Sequence, residues 1–323
     1  MGEICGFRQA SSSRAEESSS RCILRGLQVI KANPILLSMR KEILPLQKSL
    51  RRLLPTRIEN DDPLPRDANL IAQHTLVYET NPRPWTRKAV LALPMFHAAT
   101  APSAFCSYIR AGAQGYVFPR FEPESWFWAH EEYGITDLAV VPPIAIMAIN
   151  SPLNKKYSLK SVKIATCGAA PLDKAPQARL QKLIGEEVPF TQVWGMTETS
   201  CIATRFAWPE KDTTGGVGRP LPGLDLKLVD DDGKDVSGPD KRGELCVRGP
   251  TVINGYFENP EANARDWDSE GYFHTGDIAF MDGKTELLYI VDRKKVSRAT
   301  LRLGAIIHTD FFSRNSSKSE PSR

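Results

Sequence analysis

Between Thr136 and Gln192 short apolar runs alternate with helical stretches, and no other feature of the chain restricts its fold as much. Thr136-Asp137-Leu138-Ala139-Val140-Val141 reads as a strand, and Pro142-Pro143 opens a helix that runs through Ile149. Val162-Lys163-Ile164-Ala165-Thr166 is the next strand, and a helix over 176–184 leads to the strand Val188-Pro189-Phe190-Thr191. Strands separated by helical crossovers of about a dozen residues lie parallel, with the helices covering the sheet. In such α/β folds ligands gather where strands end at their carboxyl side.

The pattern extends upstream, where Ala89 to Pro94 reads as a buried strand leading into Met95-Phe96-His97, and 115–118 and 123–133 as a strand and a helix. Residues 69–77 and 102–108 also have helical character. After Ala207 the character changes. Strands at 224–229, 243–248 and 287–291 are joined by turn-rich stretches, among them Asp230-Asp231-Asp232-Gly233 and Met281-Asp282-Gly283-Lys284, and these suit antiparallel or barrel-like pairing. A short helix fits 260–266. Residues 1–66 form a divergent basic segment with serine runs, an amphipathic stretch over 35–54 and a disordered start, and 292–323 end in a polar tail.

A chain of 323 residues can bury a substantial core, and 41% apolar with 25% charged residues excludes a disordered or membrane-embedded class. The net charge of +4 is small and concentrated towards the ends, which gives no reason to expect a nucleic-acid partner. No apolar run approaches the roughly 18 residues of a transmembrane helix. Six cysteines without metal-ligand spacing indicate reduced, partly buried thiols, and a cytoplasmic location is expected.

Candidate chemistry collects at the strand ends. Gln192-Val193-Trp194-Gly195-Met196-Thr197-Glu198-Thr199-Ser200 looks like a strand opening into a glycine-containing turn that presents a hydroxyl and a carboxylate, although a turn with a helix-capping Thr would look the same. Gly168-Ala169-Ala170 would let a flat ligand approach the backbone, or would serve close helix–sheet packing. His97 beside an apolar strand is either structural or functional. Thr213 to Pro220 is glycine-rich but matches neither a Walker loop nor a dinucleotide fingerprint.

Taken in order, Leu93-Pro94-Met95-Phe96-His97, Gly168-Ala169-Ala170-Pro171-Leu172, Trp194-Gly195-Met196-Thr197-Glu198, Gly215 to Pro220, Gly243-Glu244-Leu245, His274-Thr275-Gly276-Asp277 and Asp292-Arg293 resemble the adenylate-forming (AMP-binding) superfamily. The acyl-CoA and aryl-CoA ligases, such as the 4-coumarate and fatty-acid ligases, are the most similar group. The resemblance covers roughly residues 68 to 296 and implies ATP-dependent activation of a carboxylic acid to an acyl-adenylate, followed by thioester formation with coenzyme A. A carrier protein is an alternative acyl acceptor, and the breadth of the family brings in secondary metabolism as a setting.

Carried over residue by residue, Gly168, Ala169 and Ala170 line the adenine pocket, with Trp194 flanking it and Gly195 in the same motif. Thr197 contacts the phosphate region, and Glu198 helps to hold magnesium (Mg2+) there. Asp277 accepts hydrogen bonds from both ribose hydroxyls. Arg293 binds ribose or phosphate oxygens, and His97 borders the acyl-substrate site. Lys295 matches the interdomain hinge.

Two departures qualify what the resemblance implies. Residues 54–66 contain no Ser/Thr/Gly-rich phosphate loop ending in Pro-Lys, and the small domain that carries the adenylation lysine is not recognisable after Lys295. The expectation is therefore a ligase truncated at both ends with impaired activity. The alternative is a catalytically defective nucleotide- or acyl-binding protein, or a non-functional ligase fragment.

Overall fold

The computed structural model describes residues 83–294, except 96, 102–107 and 109–110, together with the backbone of 28–31. The expectations for the rest of 1–82, for most of 102–108, and for the hinge and tail from Lys295 onward lie outside the described residues. The first sheet has the order β1-β3-β2, built from Gln28–Lys31, Lys88–Leu91 and Gln114–Val117. β2 and β3 pair in parallel and β1 adds antiparallel at the edge, an element not anticipated from the sequence.

A helix, α1 (Pro123–Glu132), leads to β4 (Asp137–Val140), and α2 (Pro142–Asn150) then crosses to β5 (Ile164–Cys167). The next crossover, α3 (Lys174–Ile184), delivers β6 (Phe190–Gln192). β4, β5 and β6 pair in parallel, as the alternation requires. The amino ends of β2 and β4 are tied together: Thr136 N donates to Lys88 O at 3.0 Å, and Lys88 N donates to Thr136 Oγ1 at 2.9 Å.

Local chemistry sets the helix limits. Proline opens both α1 and α2, where the missing N–H costs nothing and the fixed φ already suits a helix. Gly185 ends α3 at φ +129, after Gln177, Leu180 and Ile184 have placed one stripe of the helix on the core. Phe127, Phe190, Leu180 and Ile184 have essentially no solvent exposure, and each such side chain stabilises the fold by about 1.5–3 kcal/mol relative to leaving it in water.

His130 is buried in the same layer, where its Nδ1–H donates to the Trp126 carbonyl at 2.7 Å. Burial pushes its pKa from 6.5 down to about 4. The unfolded chain therefore binds a proton on this imidazole near pH 6.5 that the folded chain refuses until about pH 4. Its contribution is complete above pH 6.5 and is lost as pH falls towards 4, by an amount on the order of 3 kcal/mol. Urea unfolding from pH 7.5 to 4 is expected to show this slope in the wild type and to lose one proton of it in His130→Gln.

The antiparallel part begins at Trp194, earlier than the sequence indicates. β7 (Trp194–Met196), β8 (Cys201–Arg205) and β9 (Arg219–Pro220) form one small sheet. β10 (Asp225–Val229), β11 (Arg242–Arg248), β12 (Phe273–Met281) and β13 (Leu288–Arg293) form a four-stranded meander in that order, with α4 (Pro260–Asp266) between β11 and β12. Val217 N donates to Leu288 O and Leu288 N to Gly218 O, which ties the loop before β9 to β13. Both antiparallel sheets share a core that includes Trp194, Ala203, Leu245, Val247, Phe273 and Leu288.

The parallel α/β region followed by antiparallel strands matches the expected class. The expected glycine turn at Gly195 does not: this residue lies inside β7, and the turn follows at Thr197–Thr199 as one 3₁₀ turn. The short strand there was hidden because its three residues carry too little periodicity to register. No helix among the described residues is long and apolar enough to cross a membrane.

Candidate functional site

The stretch after β5 is built as a closely backed loop. A Cβ at Gly168 would lie 2.9 Å from Val193 Cγ2, so any larger residue would push aside the valine that precedes β7. Ala169 takes a left-handed φ of +68, and both Ala169 and Ala170 face solvent. That conformation costs an alanine roughly 1 kcal/mol or more, so surrounding structure must hold it. Gln192 does this from β6: its Nε2 donates to Leu172 O and its Oε1 accepts from Leu172 N, both at 2.8 Å.

The same amide donates to Gln177 Oε1, and Gln177 Nε2 donates to Asp212 O at 2.6 Å. Asp212 in turn receives Thr214 Oγ1 and Gly215 N, and Thr214 Oγ1 shares a hydrogen bond with Tyr289 OH. A polar chain, buried from Gln192 to Asp212 and exposed at Thr214, thus joins the 168–172 loop to β13. The sequence analysis named Gln192 only as the first residue of the motif and missed Gln177 and Asp212, which lie in a polar helix and a polar loop and so carried no distinguishing signal.

Trp194, Asp277 and Arg293, separated by up to 99 positions in the chain, meet at one corner. The Trp194 indole Nε1 donates to Asp277 Oδ2 at 2.8 Å, and Arg293 Nε lies 3.5 Å from Asp277 Oδ1. Burial raises the pKa of Asp277, while the Trp194 hydrogen bond and the Arg293 charge oppose the rise. In Trp194→Phe the ring stays and the donor goes, so Asp277 is expected to titrate at higher pH than in the wild type. Carboxyl-carbon NMR titration reads this directly.

Asp277 is presented by a strand segment that is itself clamped. Gly276 N donates to Glu244 Oε1 at 3.0 Å, Thr275 Oγ1 donates to Leu245 O at 2.7 Å, and Lys294 N donates to Gly276 O at 2.7 Å. Glu244 Oε2 receives Lys294 Nζ at 3.1 Å and lies 3.2 Å from His274 Nδ1. Burial alone would raise the Glu244 pKa, but the hydrogen bonds from His274 and Lys294 hold it below the usual carboxylate range. Cys246 Sγ is 3.4 Å from His274 Nδ1, so Glu244, Cys246 and His274 offer three metal-type ligands within 4.8 Å of one another. The Lys294 ammonium already sits on the shared carboxylate oxygen, which makes this cluster an internally satisfied support for Asp277. Burial keeps the Cys246 thiol protonated, with its pKa pushed up to about 12.

Thr197 and Glu198 occupy the 3₁₀ turn after β7. Thr199 fixes that turn from inside: its Oγ1 accepts from Met196 N and lies within hydrogen-bond distance of Met196 O and Cys201 O. Ser200 and Cys201 then take left-handed φ values of +58 and +126, a strain the sequence does not advertise. Among the described residues no hydrogen bond reaches the Thr197 hydroxyl or Glu198 Oε2, while Glu198 Oε1 accepts from Tyr256 OH at 2.9 Å. A carboxyl group with an oxygen left open suits a hard cation such as magnesium, so the donor chemistry at Glu198 fits that ion.

His97 stands apart from these contacts, in the turn after β2, where its Nδ1 accepts from Ala99 N at 3.1 Å. Partial burial lowers its pKa, so the ring is neutral near pH 7. The structure therefore joins Trp194, Asp277 and Arg293 directly, keeps Thr197 and Glu198 on the turn after β7, and places Gly168 against Val193. It shows no direct hydrogen bond between His97 and any of these.

A family model described as AMP-binding enzyme matches residues 66–257. The chain belongs to this AMP-binding enzyme family. Phenylacetyl-CoA ligase epaB of Aspergillus niger is 51% identical over 229 residues, covering 70% of this chain and 42% of that protein. 4-Coumarate–CoA ligase 2 of Oryza sativa subsp. japonica is 36% identical over 211 residues, 64% of this chain and 37% of that one. The crystal structure of ATP-bound MatB from Rhodopseudomonas palustris superposes with a TM-score of 0.62 at 26% identity, covering 71% of this chain and 44% of MatB. This AMP-binding chain thus spans less than half the length of these relatives.

Proposed function

We propose that this chain carries the nucleotide-binding part of an acid–thiol ligase that activates a carboxylic acid, aryl or acyl, with ATP. The observation that carries the reading is the Trp194–Asp277–Arg293 corner, with a 2.8 Å indole donor on one carboxylate oxygen and a guanidinium beside the other. Each oxygen retains a lone pair to accept a ribose hydroxyl, and the Trp194 bond fixes the direction in which the carboxylate faces. The flat loop at Gly168 to Ala170, braced by Gln192, supplies a backbone surface for a purine.

The reaction forms a bond between the acid's carboxylate oxygen and the α-phosphorus of ATP as pyrophosphate leaves. The coenzyme A thiol then attacks the acyl carbon and AMP departs. Thr197 offers an unengaged hydroxyl to phosphate oxygens, and Glu198 offers the open oxygen that would hold magnesium. When bound, that ion offsets negative charge on the phosphates. His97, neutral near pH 7, borders the acid and carries no charge that would pair with it.

Calorimetric titration of the chain with AMP and ATP, followed by assays for acid-dependent AMP and thioester formation across a panel of aryl and fatty acids, tests the proposal in two stages. Saturable, magnesium-sensitive ATP binding supports the nucleotide site, and thioester formation supports the ligase reading. A folded chain that takes up neither nucleotide refutes the reading at its base.

A further inference from the structure

We propose that Tyr256 is a positioning residue that sets the orientation of Glu198 and thereby the magnesium requirement of nucleotide binding. The inference rests on the nucleotide and magnesium reading proposed above and extends it to a residue outside every motif in the turn itself. Tyr256 OH donates to Glu198 Oε1 at 2.9 Å, across 58 positions of sequence. That single donor occupies one carboxylate oxygen and leaves Oε2 as the free ligand atom.

The tyrosine is held more firmly than a chance surface contact would be. Asn263, on α4, accepts from Tyr256 N at 2.6 Å through Oδ1 and donates to Tyr256 O at 3.0 Å through Nδ2. Gly255 passes Asn263 so closely, at φ +152, that an added Cβ would lie 3.0 Å from the amide. The Tyr256 ring packs edge-on against Trp267 with centroids 5.5 Å apart, and Trp267 packs on Phe273 of β12. The same segment also grips the turn by its backbone: Ile253 N donates to Glu198 O at 2.9 Å, and Ser200 Oγ donates to Thr251 O at 2.8 Å.

An outer partner of this kind commonly changes the metal affinity of its ligand by 10- to 100-fold. A rigid donor also removes the need to order the carboxylate when the ion binds.

The test is ATP titration of the full chain by calorimetry at a series of magnesium concentrations. Tyr256→Phe keeps the ring on Trp267 and deletes one oxygen, so its melting temperature should match the wild type. The magnesium concentration that half-maximally strengthens ATP binding is expected to rise roughly tenfold, while ATP affinity without magnesium stays the same. Replacing Tyr256 with 4-aminophenylalanine, which restores a donor, should recover the wild-type requirement. In a Glu198→Gln background, Tyr256→Phe should add no further change.

An unchanged magnesium requirement in Tyr256→Phe, over a wild type that shows one, overturns the assignment while leaving the nucleotide site intact. An equal loss of affinity with and without magnesium also overturns it, because that is the signature of general packing damage. A wild-type chain whose ATP binding ignores magnesium overturns the proposed function and this assignment together.

Discussion

Gly195→Ala is expected to destabilise the chain by more than about 4 kcal/mol, enough to remove most soluble folded protein. A Cβ at this position would sit 1.7 Å from Cys201 O and 2.8 Å from Ile202 Cα. Both obstacles are backbone atoms of β8, so no rotamer change relieves them. Cys201 itself is held at φ +126, directly after Ser200 at φ +58, which leaves the hairpin no slack to open. Separating β7 from β8 would displace Trp194 from the core shared by the two antiparallel sheets and pull its indole away from Asp277.

A control isolates the steric cause. Gly134 also has positive φ, at +58, but nothing lies within 4 Å of an added Cβ. Gly134→Ala should therefore cost only the left-handed backbone penalty of about 1–2 kcal/mol. Urea unfolding of the two variants gives the comparison, and a Gly195→Ala protein as stable as Gly134→Ala would contradict the close approach.

Asp277→Asn is expected to weaken AMP and ATP binding by roughly 10- to 100-fold, since hydrogen bonds to a charged partner contribute about 1.5–3 kcal/mol and, in the function proposed above, two ribose hydroxyls would share this carboxylate. The folded state should survive, because the asparagine carbonyl can still accept from Trp194 Nε1. What is lost is the charge facing Arg293, at 3.5 Å, and the acceptor at the second oxygen. 2′-Deoxy-ATP offers a second reading on the same protein: it should bind the wild type more weakly than ATP, and that discrimination should shrink in the variant. Equal affinities of wild type and Asp277→Asn for AMP, measured calorimetrically, would move the ribose site elsewhere.

The sheet class was legible because the alternation over 136–192 depends on local periodicity and on prolines, which act within a few residues. Pro123, Pro142 and Gly185 mark helix ends in the structure as they do in the sequence. The motif residues at 168–170, 194–198 and 277 could be picked out by resemblance. What they touch could not: the Trp194–Asp277 bond spans 83 positions and the Tyr256–Glu198 bond 58. The strand status of Gly195 was equally hidden, because it depends on β8 arriving opposite it and not on anything in its neighbours.

By itself the sequence determined the strand–helix order from 123 to 192, the antiparallel character of the later strands and the identity of the polar side chains near the strand ends, since each follows from short-range pattern. Only the tertiary structure decided which of these side chains share a site. Gln192 braces the 168–172 loop, Glu244 and Lys294 brace the strand that carries Asp277, and Tyr256 reaches Glu198 from a segment anchored by α4. The physical reason is that orientation in a buried site comes from hydrogen bonds between distant elements, and those form only when packing brings the elements within about 3 Å of one another.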